Sequence, residues 1–244
     1  MILIDINCDL GEGIGNEDLL MPLISSCNIA CGGHAGDKAT MSFVADLAQK
    51  FKVKIGAHPS FPDRESFGRK EMNMSDEALY STLYDQIKSL KRILDKKLLS
   101  LHHVKPHGAL YNMVSVNKEI AKVVVNVIRD IDKSLILYAP YKSIIAEIAS
   151  QVGLQVKFEA FADRNYNQDL TLVSRRKENA LIHDAEVMFR QVSQIVLDEK
   201  VAVINGVEVT LKADTFCVHG DGKNVVQNLE HLIHRLKQNN IETY

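Results

Sequence analysis

One arrangement recurs along the sequence: a short apolar segment, then polar residues with glycine, then a segment with helical periodicity. Seven apolar segments of this kind occur, at residues 2–9, 24–30, 53–57, 101–107, 135–138, 154–161 and 215–218. Strand–helix alternation predicts parallel strands, because parallel neighbours need a crossover connection. Since polar clusters close nearly every strand, the sequence favours an α/β fold of the seven-stranded, TIM-like (β/α) barrel type. A doubly wound open sheet is the alternative, with its site at one switch point.

The chain length and composition agree with one domain covering residues 1–244. Barrels of this class often reach 244 residues as a single unit, and no linker or low-complexity tract interrupts the sequence. The net charge is −2 and no basic stripe with interleaved aromatic residues is present, so we expect neither a nucleic-acid partner nor a membrane-surface partner. No apolar run approaches the roughly 20 residues of a membrane span, and no signal peptide is recognisable.

The cysteine pattern favours a cytoplasmic protein. The four cysteines contain no Cys-x-x-Cys pair, which argues against a structural zinc site. We therefore expect reduced cysteines, as is typical of cytoplasmic proteins.

Several local signals predict where helices and turns lie. Asp37 can cap a helix over residues 38–50, Ser75 begins the most regular amphipathic helix, and Asn117 can cap another. Residues 201–209, with Asn-Gly between alternating apolar residues, predict a hairpin. The loop that continues to Met74 is long enough to be a lid or a binding loop.

The candidate site follows from the geometry of a parallel barrel, in which the carboxyl ends of several strands surround one cavity. The inward parity of each strand selects polar side chains that would converge there, namely Asn7, Asp9, Asn28, His34, His58, Lys105, His107, Glu159, Asp163, His219 and Asp221. Loop residues Arg64, Arg69 and Arg164 are available beside them.

These residue types allow three kinds of chemistry. Histidines can move protons near neutral pH. Lysine and arginine can neutralise phosphate or a developing oxyanion, and carboxylates with histidines can hold a divalent metal. Structural roles remain open: Lys105 can pair with a carboxylate, Asp37 can be a helix cap, and the glycines at 11, 13 and 15 can shape a turn. His183, His231 and His234 are predicted to be solvated, and no phosphate-loop or dinucleotide motif is present.

Longer motifs identify the chain as similar to a known family. The segments 7–13 (NCDLGEG), 28–37 (NIACGGHAGD), 56–59 (GAHP), 67–69 (FGR), 104–112 (VKPHGALYN), 161–164 (FADR) and 217–221 (CVHGD) resemble the LamB/YcsF family, in order and over nearly the whole chain. The resemblance implies a barrel related to those of glycoside hydrolases and deacetylases. Lys70 stands where a second arginine is common in the family. Lysine keeps the positive charge but cannot form the two parallel hydrogen bonds that an arginine gives to a phosphate or carboxylate.

The resemblance also implies an activity, that of the A subunit of the ATP-hydrolysing 5-oxoprolinase, with partner subunits B and C. The reaction opens the lactam of 5-oxoproline to L-glutamate and converts ATP to ADP and phosphate. We assign phosphate or oxyanion charge to Lys105 and Arg69, and proton transfer to His107, helped by His58 or His34. Asp9 and Glu12 would orient water or magnesium. The remaining candidates for substrate or phosphate binding are Asn7, Asn28, Asp37, Glu159, Asp163, Arg164, His219 and Asp221. The resemblance leaves open whether ATP binds on this chain, on a partner subunit or between the two.

Two other functions also agree with the sequence. The first is a stand-alone metal-dependent amide or carbohydrate hydrolase of the deacetylase type, with His34, His58 or His219 as ligands. The second is a noncatalytic subunit that binds a lactam or a sugar.

Overall fold

The computed structural model describes residues 1–244 and contains ten strands. They are β1 Ile2–Leu10, β2 Ser26–Ala30, β3 Lys54–His58, β4 Leu101–Val104, β5 Ile136–Pro140, β6 Gln155–Phe161, β7 Lys200–Ala202, β8 Glu208–Thr210, β9 Thr215–Cys217 and β10 Ile241–Thr243. Strands β1 to β6 pair in order and in parallel, and β9 pairs in parallel with both β6 and β1. This closure confirms the seven-stranded (β/α) barrel and shows that the open-sheet alternative is wrong.

Helices surround the barrel. They are α1 Glu17–Leu20, α2 Lys38–Phe51, α3 Asp76–Lys96, α4 Gly108–Val116, α5 Lys118–Ile131, α6 Ile144–Gln151, α7 Ala185–Asp198 and α8 Val225–Gln238, with short 3-10 turns at Met21–Leu23 and Glu178–Ala180. Asp37, Ser75 and Asn117 cap α2, α3 and α5 through their side chains, as predicted. None of these helices combines the length and the apolar character that a membrane crossing requires.

The core lies between the helices and the outer face of the barrel. On β1, Ile4, Ile6 and Cys8 face outward and are buried, while the alternating polar residues face the barrel interior. Helix α3 buries an apolar stripe from Leu79 to Leu94 against this layer, as expected for the amphipathic helix that begins at Ser75. Each fully buried leucine of this kind stabilises the fold by about 1.5–3 kcal/mol.

Helix α4 begins immediately after the fourth strand end and was not predicted. The chain turns into it at Gly108, whose φ is +56°, and a Cβ there would lie 2.6 Å from the carbonyl oxygen of Gly68. Only glycine permits both the left-handed backbone and this close approach. The turn therefore holds the residue 59–74 loop against the strand end.

Two further differences concern short strands. The hairpin of β7 and β8 is confirmed, but pairing stops at Ala202 and Glu208, so Asn205 and Gly206 lie in a wider loop. Strand β10 pairs in parallel with the first residues of β1, outside the barrel. It follows the end of the last predicted helix and is only three residues long, too short for an alternation pattern to be recognised.

Candidate functional site

Polar side chains fill the barrel interior, beginning near the amino ends of β2 and β9. Asp5 Oδ2 accepts hydrogen bonds from the hydroxyls of Ser26 and Thr215, both at 2.6 Å. Above them, Asn7 Nδ2 donates to Thr215 Oγ1 at 2.8 Å and to Glu159 Oε1 at 2.9 Å. All five side chains are buried. Buried polar groups of this kind cost free energy unless each finds a partner, so the network fixes the side chains above it.

Asn28 and His103 continue this network. Asn28 Nδ2 donates to Asn7 Oδ1 and to Asp9 Oδ1, both at 2.7 Å, and Asn28 Oδ1 accepts from His103 Nε2 at 2.7 Å. Burial holds the pKa of His103 well below its usual value, so the ring is neutral. Asn7 and Asn28 therefore orient the carboxylate of Asp9 and do not face the cavity as ligands.

Lys105 lies at the centre of the site and is almost completely buried. Its Nζ atom is 2.9 Å from Asp9 Oδ1, 2.9 Å from Glu159 Oε1, 3.3 Å from Asn7 Oδ1 and 3.1 Å from Cys217 Sγ. Burial alone would lower the pKa of Lys105, but the charge of Asp9 and its neighbours raises it well above the ordinary value. Lys105 is therefore a fixed cation that also lines the cavity.

His58 and His107 form a pair whose hydrogen-bond partners define the proton positions. His58 Nδ1 donates to the carbonyl oxygen of Lys105 at 2.7 Å, and His107 Nε2 donates to that of Phe67 at 2.9 Å. The other two ring nitrogens, His58 Nε2 and His107 Nδ1, lie 2.9 Å apart. A neutral imidazole carries a proton on only one nitrogen, and in each of these rings that proton is used in the hydrogen bond to a carbonyl oxygen. The contact between the other two nitrogens therefore requires one additional proton. Asp9 Oδ2, 3.2 Å from His58 Nε2, supplies the compensating negative charge.

Burial disfavours a second charge at this pair. Burial first, and then the charges of His58 and His34, hold the pKa of His107 well below its usual value. His107 is therefore neutral and accepts at Nδ1 the proton that His58 donates. For Asp9, burial would raise the pKa, but His58 and Lys105 lower it well below the ordinary value, so Asp9 is ionised.

Glu12 and His34 complete a cluster beside this pair. His34 Nε2 is 2.9 Å from Glu12 Oε1, and the His34 ring stacks on His107 at 3.6 Å. Glu12 Oε1 is also 3.5 Å from His107 Nδ1 and 3.9 Å from His58 Nε2. One potential ligand atom from each of the four residues lies within 4.8 Å of the others. Three imidazoles with one carboxylate suit zinc or a similar transition metal better than magnesium.

The rim of the cavity carries both signs of charge. Asp163 accepts from the backbone N–H and from Nδ1 of His219, both at 2.9 Å. Burial would raise the pKa of Asp163, but His219 lowers it below the ordinary value. Asp221 Oδ2 lies 3.2 Å from Arg69 Nη2 and 3.3 Å from Arg175 Nη1, so this carboxylate fixes both arginines at the rim.

Three predicted residues have positions that differ from the others. Arg164 is buried and lines the cavity, but its guanidinium donates to the carbonyl oxygens of Ala180 and Val173, so it organises the surrounding loop. Asp37 is exposed and accepts a hydrogen bond from Thr40 N at the start of α2, away from the cluster. Arg64 does not line the cavity, because its guanidinium donates to the carbonyl oxygens of Gly32 and Gly36. The structure brings the remaining candidates together, including Glu12 from the glycine-rich turn.

The long loop reaches the cavity. Phe67 contributes the carbonyl oxygen that fixes His107, and a Cβ at Gly68 would lie 2.9 Å from both His107 Cδ2 and His34 Cβ. The loop of residues 59–74 is thus a wall of the site. The resulting cavity has a volume of about 480 Å³.

Comparison with known proteins agrees with this geometry. The family model described as the LamB/YcsF family matches residues 4–244. The chain belongs to the LamB/YcsF family. It is 42% identical over 246 residues to the A subunit of 5-oxoprolinase from Bacillus cytotoxicus, covering 99% of this chain and 98% of the relative. It is 41% identical over 244 residues to the protein of the same name from Staphylococcus epidermidis, covering 98% and 97%.

Solved structures give the same relationship. The lactam utilization protein of Thermus thermophilus superposes with a TM-score of 0.93 at 35% identity, covering 99% of both chains. A family 4 carbohydrate esterase from Streptomyces lividans superposes with a TM-score of 0.54 at 9% identity, covering 99% of this chain and 91% of the esterase. The second likeness concerns the fold alone and agrees with the predicted deacetylase-type barrel.

Proposed function

We propose that this LamB/YcsF family member is the A subunit of an ATP-dependent 5-oxoprolinase, which opens the lactam of 5-oxoproline to L-glutamate. The names of the Bacillus and Staphylococcus relatives support this activity, as does that of the Thermus protein. One structural observation carries the proposal: the buried cation Lys105 and the proton-sharing pair of His58 and His107 line the same cavity. Lactam opening with ATP needs both a fixed positive charge and a movable proton.

The chemistry explains why ATP is coupled to the reaction. An amide carbonyl carbon is a poor electrophile. Attack of the carbonyl oxygen on the γ-phosphorus, with ADP leaving, gives a phosphorylated imidate that water can attack. The ring C–N bond then breaks, its electron pair stays on nitrogen, and the nitrogen takes up a proton. The acyl phosphate that results is hydrolysed by a second water to L-glutamate and phosphate.

The side chains of the cavity have distinct roles in this scheme. Lys105, with Arg69 at the rim, neutralises phosphate and oxyanion charge. His107 and His58 supply the proton that the ring nitrogen takes up. Ionised Asp9 orients the attacking water together with the side chain of Glu12, and both residues line the cavity.

ATP and the partner subunits are part of the proposal. Arginines 69, 175 and 176 line the cavity, which supports approach of the triphosphate from their side. The sequence has no phosphate-loop motif, and this supports a nucleotide site completed by subunits B and C. Magnesium prefers oxygen ligands and water, and the imidazole-rich cluster does not fit it. Magnesium would therefore accompany ATP, and no step here depends on it. The four free cysteines support the predicted cytoplasmic location.

The decisive experiment is ATP-dependent release of glutamate from 5-oxoproline in host extract that lacks this chain and retains subunits B and C. Added wild-type chain should restore the activity. His107→Ala should lower it at least about 100-fold, the usual minimum for a lost acid–base group. His234→Ala, an exposed histidine on α8, is the matched control and should behave as wild type.

Two results would contradict this scheme. If folded wild-type chain restores no activity, the proposed 5-oxoprolinase function is wrong. If His107→Ala stays within threefold of wild type, the proton-transfer role of His107 is wrong although the activity stands.

A second candidate function is favoured by the metal-ligand geometry of Glu12, His34, His58 and His107. A divalent metal could replace the shared proton of the histidine pair, giving a metal-dependent hydrolase that acts alone. Metal analysis of protein purified without chelator separates the two functions. One tightly held zinc per chain would support the hydrolase, and a metal-free chain that restores glutamate release would rule it out.

A further inference from the structure

The reaction scheme above leaves one proton transfer without a residue. When water attacks the ring carbon, the forming C–O bond makes that water acidic, and its proton must go to a base. Burial would raise the pKa of Asp9, but His58 and Lys105 hold it well below its ordinary value, so Asp9 is a weak base. Asp9 can orient the water, but another group has to take the proton.

Three histidines line the main cavity, His58, His107 and His219. The first two have no free lone pair, because each uses one ring nitrogen in a hydrogen bond to a carbonyl oxygen and the other in the shared proton. His219 differs from them. Its Nδ1 atom contacts Asp163, whereas its Nε2 atom has no hydrogen-bond partner in the protein and is not enclosed by it.

Asp163 determines which nitrogen of His219 carries the proton. Its carboxylate is ionised and can only accept, so the ring proton lies on Nδ1, 2.9 Å from Asp163 Oδ2, and the lone pair lies on Nε2. The backbone N–H of His219 donates to the same oxygen at 2.9 Å, and the ring of Phe161 stacks on the imidazole at 5.5 Å. The free lone pair is therefore held in one orientation, as in other carboxylate–histidine pairs that act as bases.

The position of His219 suits a water that Asp9 orients. A ring nitrogen of His219 and a carboxylate oxygen of Asp9 lie within 4.8 Å of each other. One water with hydrogen bonds of about 2.8 Å to two partners spans about 4–5 Å between them. The same water can therefore contact both side chains.

We propose that His219 is the general base of the reaction and that Asp163 is its positioning residue. This inference rests on the proposed function. As the water oxygen bonds to the ring carbon, a water proton moves to Nε2 of His219 and the C=N electron pair moves to the ring nitrogen. Asp163 stabilises the resulting imidazolium. The side chain of His219 is 17% exposed, so the imidazolium can return its proton to solvent and act again on the second water.

The cavity then contains an acid and a base in different places. The pair of His58 and His107 holds a proton for the ring nitrogen, and His219 holds a lone pair for the water. Opposite environments give similar side chains these opposite roles.

The test measures ATP-dependent glutamate release by the complex of this chain with subunits B and C. His219→Ala should lower kcat at least about 100-fold, with KM for 5-oxoproline within about threefold of wild type. Added imidazole should raise the kcat of this variant at least about tenfold, because it can enter the open cavity and take the proton. Pyrazole has a ring of the same size but is a much weaker base, and it should not restore the rate.

The matched control is His231→Ala. His231 also contacts a carboxylate, that of Glu186 at 2.6 Å, but the pair is exposed and lies outside the cavity. This variant should behave as wild type.

Asp163→Asn tests the positioning role. The amide oxygen can still accept the backbone N–H of His219, but the NH₂ group donates to the ring Nδ1, which moves the ring proton to Nε2 and removes the free lone pair. We expect kcat to fall at least about 100-fold with little change in KM. Imidazole should not restore this variant, because the ring of His219 still fills the position.

The outcomes separate this inference from the proposed function. Rescue of His219→Ala by both heterocycles, or by neither, overturns the inference, as does a loss confined to KM or a kcat within threefold of wild type. Thermal melts confirm that each variant is folded. An active wild-type complex with unaffected variants leaves the proposed function standing. A wild-type complex that releases no glutamate shows that both are wrong.

Discussion

Replacing Lys105 with methionine should expose how much the buried charges depend on one another. The substitution keeps a long apolar side chain but leaves Asp9 Oδ1 and Glu159 Oε1 without the cation that lies 2.9 Å from each. At an effective dielectric constant of about 20, each such contact has a gross Coulomb energy of about 6 kcal/mol. Desolvation of the charges offsets most of this, so removing one partner of a buried cluster costs a net of about 3–5 kcal/mol.

Urea unfolding followed by far-ultraviolet circular dichroism measures this loss, and the signal suits a chain without tryptophan. Lys91→Met is the control, because it removes a contact of the same 2.9 Å length between exposed residues of one helix and should cost less than about 1 kcal/mol. Adding Glu159→Gln to Lys105→Met should recover part of the loss, since one buried negative charge disappears. A loss below about 1 kcal/mol for Lys105→Met at pH 7 would refute this account.

Two further predictions concern stability. Gly56→Ala should lower the free energy of unfolding by about 3 kcal/mol in urea titration, because the new Cβ would overlap Nε2 of the fully buried His103. Stability should fall on acidification below about pH 6.5, where the unfolded chain binds protons that the folded protein excludes from His103. This contributes about 1 kcal/mol between pH 6.5 and 5.5, and a flat pH profile would contradict it.

The fold followed from the sequence because its signals are local. Alternating parity on β1 and the side-chain caps Asp37 and Asn117 each depend on a few neighbouring residues, and the structure shows all of them. Helix α4 could not be predicted in this way, because it begins at a left-handed Gly108 packed against Gly68, a contact between distant segments.

The site was predictable where strand parity extends to the strand end. The alternation of side chains along the strands selected Asp9, Asn28 and Lys105. His103 lies two residues before Lys105, on the same face of the strand, so the same rule would also have selected it. The contacts at the rim of the cavity could not be predicted from strand alternation. Arg175 contacts Asp221 from an irregular segment that carries no periodic signal.

The buried polar network shows the same limit more clearly. Glu159 Oε1 lies 2.9 Å from both Asn7 Nδ2 and Lys105 Nζ, and those two residues are 98 positions apart in the chain. No pattern within one segment contains this information.

The closure of the barrel has a consequence for how the protein is made. Strand β1 leaves the ribosome first, but one of its two barrel partners is β9, more than 200 residues later, where Asp5 pairs with Thr215. At about 5–20 residues per second, β1 waits on the order of 10–40 s for that partner. During this interval one edge of β1 is open to pairing with other nascent chains. Translation speed over the second half of the message should therefore influence the yield of native protein.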